Sequence, residues 1–292
     1  MIPQEIIKKI KRVHLASSRT VNSLMAGQYR SVFRGVGIEF EEVREYSPGD
    51  EIKSIDWKVS ARLGRPFVKV YREERERIVM LLVDMSASQR FGTLSGLKLE
   101  KAAEAASVLA FSAIKNNDKV GVIFFTDKVE KYIPPKKGAS HIWRLIKEMF
   151  TYEPESRGTD LTAALDFLAT VSRKRTVTFI VSDFLTDFRV NTLKTVQRRH
   201  EVIGVMIHDH GDTHLPEKGI VTLECFETGD ILVLDASDKK TRVFYKNRVQ
   251  DMHRSVMETL KRCKVDVIDM DTREPVSDTL TAYFRLREKR MK

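Results

Sequence analysis

The sequence predicts a doubly wound, mainly parallel α/β sheet with a small β-rich extension on its N-terminal side. Three observations carry this. Apolar runs such as Ile78 to Val83 and Thr176 to Val181 are nearly uninterrupted, as strands covered on both faces must be. They alternate with longer helical segments such as Leu97 to Asn116, which is the rhythm of crossover connections. Before Arg77 the rhythm is different: Ile38 to Val43 and Phe67 to Tyr71 alternate apolar and polar residues within a charge-rich stretch, the period of a half-buried strand.

Taken in order, residues 3–13 carry Ile6, Ile7, Ile10 and Val13 at helical spacing, and residues 14–34 are small and polar. Ser47-Pro48-Gly49-Asp50 is a turn signal. Strands are expected at Ile78 to Val83, Lys119 to Phe125, Val129 to Ile133, Thr176 to Val181, Val202 to Ile207 and Val265 to Met270. Helices are expected at Leu97 to Asn116, Ser140 to Tyr152, Leu161 to Val171, Val190 to Arg199, 239–262 and 275–288. Thr159 or Asp160 supplies the cap before Leu161. Val221–Glu227 and Ile231–Asp235 flank Thr228-Gly229-Asp230, a hairpin signal. The expected domains are 1–76, the extension, and 77–292, the α/β domain.

Composition bounds the function classes. The chain has 292 residues, 42% hydrophobic and 32% charged, so it holds a full core and is not disordered. No apolar run reaches transmembrane length, and the N-terminus lacks the long apolar stretch of a secretion signal. A cytoplasmic location is the expectation. Two cysteines, Cys225 and Cys263, exclude a disulfide scaffold and a four-cysteine zinc site. Cys225 has no nearby His or Cys and reads as a buried, inert thiol. The net charge of +10 raises the question of an acidic partner, but the basic residues are dispersed among acids apart from short terminal clusters.

In doubly wound sheets, ligands bind beyond the strand C-termini. There the chain is rich in oxygen donors: Asp84-Met85-Ser86-Ala87-Ser88 after the first apolar strand, Gly158-Thr159-Asp160 before a helix, and Ser182-Asp183 after a later strand. Two carboxylates, Asp84 and Asp183, and three hydroxyls, Ser86, Ser88 and Thr159, with no Cys or His, suit Mg²⁺, or Mn²⁺ as a substitute. Asp160 is assigned to the helix cap in preference to the metal. The order Asp84-x-Ser86-x-Ser88, Thr159, Asp183 resembles the metal-ion-dependent adhesion site of von Willebrand factor A domains, a Rossmann-type α/β fold. The stretch Arg34-Gly-Val-Gly-Ile-Glu-Phe-Glu-Glu-Val-Arg44-Glu-Tyr46-Ser-Pro-Gly-Asp50, followed by Ile55-Asp56-Trp57-Lys58 and Ala61-Arg62, resembles the signature of the bacterial "domain of unknown function 58" family. Phe67-Val-Lys69 and Arg72 to Glu76 continue it, and the likeness covers most of 20–290.

The resemblance implies that Ser86, Ser88 and Thr159 ligate Mg²⁺ and that Asp84 and Asp183 orient waters and ligands around it. It implies a non-enzymatic, metal-dependent interaction adaptor. The expected partner supplies a Glu or Asp carboxylate and is a MoxR-type AAA+ ATPase or its client, in protein assembly or maturation. Asp84→Ala and Ser86→Ala are expected to abolish that binding with the fold intact. A Mg²⁺-dependent phosphoester hydrolase is the rival, disfavoured because position 86 is Ser where a haloacid-dehalogenase-like phosphatase carries Asp. A basic nucleic-acid module is a further alternative without a reading motif. No phosphate-binding loop is present, so ATP hydrolysis by this chain is not expected. Asp56-Trp57-Lys58 and Arg62 read as structural, with Trp57 wedged against the α/β domain and Asp56 paired to Arg44 or Arg62; a partner-binding face is the functional alternative. The His208 to His214 segment reads as an exposed loop, with zinc binding as its functional alternative.

Overall fold

The computed structural model describes Tyr29 and residues 37–74, 77–93 and 96–291. The helix expected over 3–13 and the polar stretch at 14–34, Tyr29 apart, lie outside the described residues. The chain forms two compact units, one spanning Phe33–Arg77 and the other containing Ile78–Lys292.

In the smaller unit, β1 (Gly37–Glu45) pairs antiparallel with β2 (Phe67–Glu74), with a bulge between Phe40 and Glu42. The turn after β1 closes as its sequence predicts: Asp50 N–H donates to Ser47 O at 3.1 Å, and Gly49 takes φ 111°, a conformation glycine adopts without strain. A helix interrupts the expected β pattern. α1 (Trp57–Leu63) starts at Asp56, whose carboxylate accepts from Lys58 N–H and Val59 N–H, and ends at Gly64 in the left-handed region. Seven residues are too few to show a helical period among so many charges, so the cap and the glycine were the only readable signals. Asp56 therefore does not pair with Arg44 or Arg62. It lies 3.4 Å from Lys69, and Arg44 forks onto Asp50 at 2.8 and 2.6 Å. Trp57 is 68% exposed.

The larger unit holds β3 (Ile78–Asp84), α2 (Lys98–Lys115), β4 (Lys119–Phe125), β5 (Val129–Lys136), α3 (Ala139–Thr151), α4 (Leu161–Val171), β6 (Val177–Ser182), α5 (Val190–Arg199) and β7 (Glu201–His208). It continues with α6 (His210–Thr213), β8 (Ile220–Glu224), β9 (Ile231–Asp235), α7 (Lys239–Arg262), β10 (Asp266–Asp271) and α8 (Val276–Met291). The main sheet has the order β5-β4-β3-β6-β7-β10. Only β5 runs antiparallel to its neighbour. It sits at an edge, where Pro134 and Pro135 leave no interior ladder bond unmade. β8 and β9 form a separate hairpin.

Both faces of the sheet are covered, as the apolar strands demand. Met80 and Leu82 of β3 join a core with Leu161 and Leu165 of α4, Leu193 of α5 and Leu260 of α7. α2, which contacts β3 and β4, buries Ala102, Ala103, Ala106 and Ala110. Each fully buried Leu contributes about 1.5–3 kcal/mol. Numbered along the chain, the six strands run 3-2-1-4-5-6 across the sheet, so the order reverses between β3 and β6. That crevice is where such a sheet binds ligands.

Candidate metal centre at the strand switch point

β3 delivers Asp84 to the crevice, fully buried. Its Oδ1 accepts from Ser86 N–H at 2.9 Å, which turns the chain into the short 3₁₀ segment Ala87–Arg90. Its Oδ2 accepts from Ser182 Oγ at 2.6 Å, so the ends of β3 and β6 are pinned across the crevice. The Ser86 and Ser88 hydroxyls lie 3.1 Å apart. Main-chain bonds dock the neighbouring loops: Met85 N–H to Phe125 O at 2.8 Å, Ala87 N–H to Arg157 O at 3.0 Å, and Asp160 N–H to Thr126 O at 2.8 Å. Asp160 caps α4, accepting from Thr162 N–H at 2.7 Å. Thr186 Oγ1 donates to Thr159 O at 2.8 Å and adds the loop after β6. That loop turns sharply at Phe184, buried at φ 55°. A Cβ on Gly204 would come within 3.1 Å of the Phe184 ring, so glycine makes room for it.

Asp183 meets a residue the sequence reading did not single out. Lys98 at the start of α2 is only 2% exposed and donates to Asp183 at 2.9 Å and to Asp212 at 3.4 Å. Burial opposes its charge, but Asp183 and Asp212 outweigh it and hold the ammonium above its ordinary pKa. Glu227, in the β8–β9 loop, was also missed. It accepts from Thr159 Oγ1 at 2.5 Å, and burial, with Asp183 and Asp127 nearby, raises its carboxyl above the ordinary range. Burial first, and the neighbouring Asp183 second, push Asp84 up to about 7. A run of small helical residues hides a buried Lys, and a hairpin loop gives no hint of what its carboxylate reaches.

Two of the donors, the Ser86 and Ser88 hydroxyls, have the spacing of neighbouring ligands on a hard divalent cation. Two oxygens in adjacent positions on an octahedral Mg²⁺ lie about 3 Å apart, and the Ser86 and Ser88 hydroxyls are separated by 3.1 Å. A buried carboxylate raised by a neighbouring carboxylate is the setting in which added positive charge is favourable. Lys98 already balances part of that charge at Asp183.

Two other expectations change. Cys225 is exposed rather than buried, and hydrogen bonding from Thr228 lowers its thiol pKa; Cys263 is the buried cysteine. The segment after β7 is not an open loop: Asp209 and Asp212 form a reciprocal capping box on α6, and the His210 and His214 rings stack at 3.9 Å.

Among known proteins, an uncharacterized protein of Mycobacterium tuberculosis, Rv1480, is 27% identical over 266 residues, 90% of this chain and 84% of that protein. The uncharacterized protein YeaD of Bacillus subtilis is 26% identical over 107 residues, 37% of this chain and 25% of that protein. Similar solved structures include the conserved hypothetical protein BatB of Bacteroides thetaiotaomicron, at 17% identity and TM-score 0.46, covering 73% of this chain and 99% of that one. The SpRpn10 VWA domain is similar at 13% identity and TM-score 0.37, covering 70% and 94%. Among the described residues no helix is long and apolar enough to cross a membrane. The profile described as "Protein of unknown function DUF58" matches residues 42–255, and this chain belongs to that family.

Proposed function

We propose that the chain is a non-enzymatic interaction adaptor that binds a protein partner through a divalent cation at the β3–β6 crevice. The observation that carries this reading is the convergence of Ser86, Ser88 and Asp84 at the point where the strand order reverses. Ser86, Ser88 and Thr159 would hold Mg²⁺ or Mn²⁺, and Asp84 and Asp183 would order the waters around it. The cation supplies a coordination position that a partner's Glu or Asp fills. Glu227 on Thr159 stands in for such a carboxylate within the chain. The partner we propose is a MoxR-type AAA+ ATPase or its client, on the strength of the family resemblance.

The surface beside the crevice supports protein binding. Ile220, Ile231, Leu232 and Val233 of the hairpin are exposed, a concentration of apolar area that marks interaction surfaces. A groove of about 660 Å³ runs between Arg90, Glu153, Arg157 and Phe226. The hydrolase alternative fares worse. Asp84 is fully buried and braced by Ser86 N–H and Ser182 Oγ, a setting that suits a structural carboxylate better than a nucleophile open to a phosphoester.

Mn²⁺ and Mg²⁺ titration by calorimetry on wild type and Ser86→Ala tests the site. Saturable binding that is lost in the variant is the expected result. A variant that binds the cation as wild type does removes the crevice from consideration.

A further inference from the structure

Three ligand-bearing side chains meet toward the β10 edge of the sheet, two and three strands along from β3. His208 ends β7, Asp269 lies in the adjoining edge strand β10, and His253 comes from α7. One ligand atom from each lies within 4.8 Å of the others. His208 Nε2 is 3.2 Å from Asp269 Oδ1, and His253 Nε2 is 3.4 Å from the same oxygen. The His253 nitrogen is buried and makes no hydrogen bond.

These separations fit three donors around one metal ion, and the unsatisfied His253 nitrogen is what a hydrogen-bonded cluster leaves unexplained. Around a tetrahedral Zn²⁺ with nitrogen and oxygen ligands at 2.0–2.2 Å, neighbouring donors sit about 3.3 Å apart. A direct His253–Asp269 hydrogen bond would satisfy the nitrogen, and its geometry does not. Behind His208, Nδ1 faces Asp271 Oδ2 at 3.9 Å, and Asp271 is itself fixed by Arg273 at 2.7 Å. A carboxylate behind a ligating histidine is the usual means of fixing its ring. The side chains are 33%, 44% and 32% exposed for His208, Asp269 and His253, so solvent reaches the cluster although the His253 nitrogen itself is covered.

We infer that His208, Asp269 and His253 form a site for a borderline d-block divalent cation of the Zn²⁺ type, with one position open to water or an incoming ligand. The donors differ in kind from the hydroxyls of the crevice, so the two centres select different metals. Bound there, the ion ties α7 to the edge of the sheet.

The test is Zn²⁺ calorimetry and Co²⁺ absorption on the full chain. The comparison set is wild type, His253→Ala, Asp269→Asn and a His210→Ala/His214→Ala double variant, each checked for folding by circular dichroism. One equivalent of Zn²⁺ and the intense visible bands of four-coordinate Co²⁺ are expected. Affinity should fall at least about tenfold in His253→Ala and in Asp269→Asn, and stay unchanged in the double variant. Asp269→Asn, an isosteric change at a partly exposed site, keeps the test decisive should His253→Ala fail to fold. Absence of Zn²⁺ binding in wild type, or binding that survives Asp269→Asn, overturns the assignment. Binding lost only in the double variant overturns it too, placing zinc on the α6 histidines.

Discussion

The crevice between β3 and β6 and the histidine cluster between β7, α7 and β10 gather polar groups in opposite ways. In the crevice, Asp84 and Ser86 are fully buried, and each polar group is held by another: Ser182 and Ser86 on Asp84, Lys98 on Asp183, Thr159 on Glu227. The histidine cluster is a third exposed and loosely bonded. The first site is part of what joins the strands and the second is an addition to a finished sheet edge. Removing a group should therefore cost stability in the crevice and only metal affinity at the edge.

The largest expected effect is from Lys98→Met. It leaves Asp183 and Asp212 facing each other without their buried ammonium, and losing one partner of a buried ion pair costs about 3–5 kcal/mol. Urea unfolding measures this, and a loss under 1 kcal/mol would mean that the crevice is as loosely built as the edge. Asp84→Ala comes next. The sequence alone suggests that it spares the fold, but the structure shows it stranding the buried donors of Ser86 N–H and Ser182 Oγ, at about 1–3 kcal/mol. Ser86→Ala is thus the cleaner probe of metal binding. His253→Ala should change metal-free stability by less than about 1 kcal/mol, as for exposed ion pairs; a larger loss would make that cluster structural. The smallest effect is at Glu227. Glu227→Gln removes the carboxylate charge held on Thr159; if it occupies the partner's place, a carboxylate-bearing peptide should bind the Mn²⁺-loaded variant a few-fold more tightly in calorimetry. Equal or weaker binding would assign Glu227 to the metal's own ligand set.

The two sites also differ in how far the sequence reveals them. Asp84, Ser86 and Ser88 lie within one turn after a strand, and chain geometry obliges close sequence neighbours to be neighbours in space. His208, His253 and Asp269 belong to three elements, and neither the spacing of His253 along α7 nor that of Asp269 in β10 points to the others. His210 and His214, close to His208 in sequence, drew attention instead, yet the Asp209–Asp212 capping box coils that segment into a helix and stacks them on each other. α1 escaped for a related reason: a seven-residue helix survives on its Asp56 cap and Gly64 stop and displays no apolar stripe.

By itself, the order of apolar runs and helical stretches determined the fold class, because strands without a polar face must be sandwiched between helices. It also determined which residues stand at the strand ends, because a strand that finishes in Asp84 or Ser182 places whatever follows in the crevice. Only the tertiary structure decided the charge balance there. Lys98 reaches Asp183 across 85 residues and Glu227 reaches Thr159 across 68. Such pairings depend on which helix covers which strand and where a hairpin folds back, and a carboxylate's partner is set by distance in space, which no local pattern of the chain records.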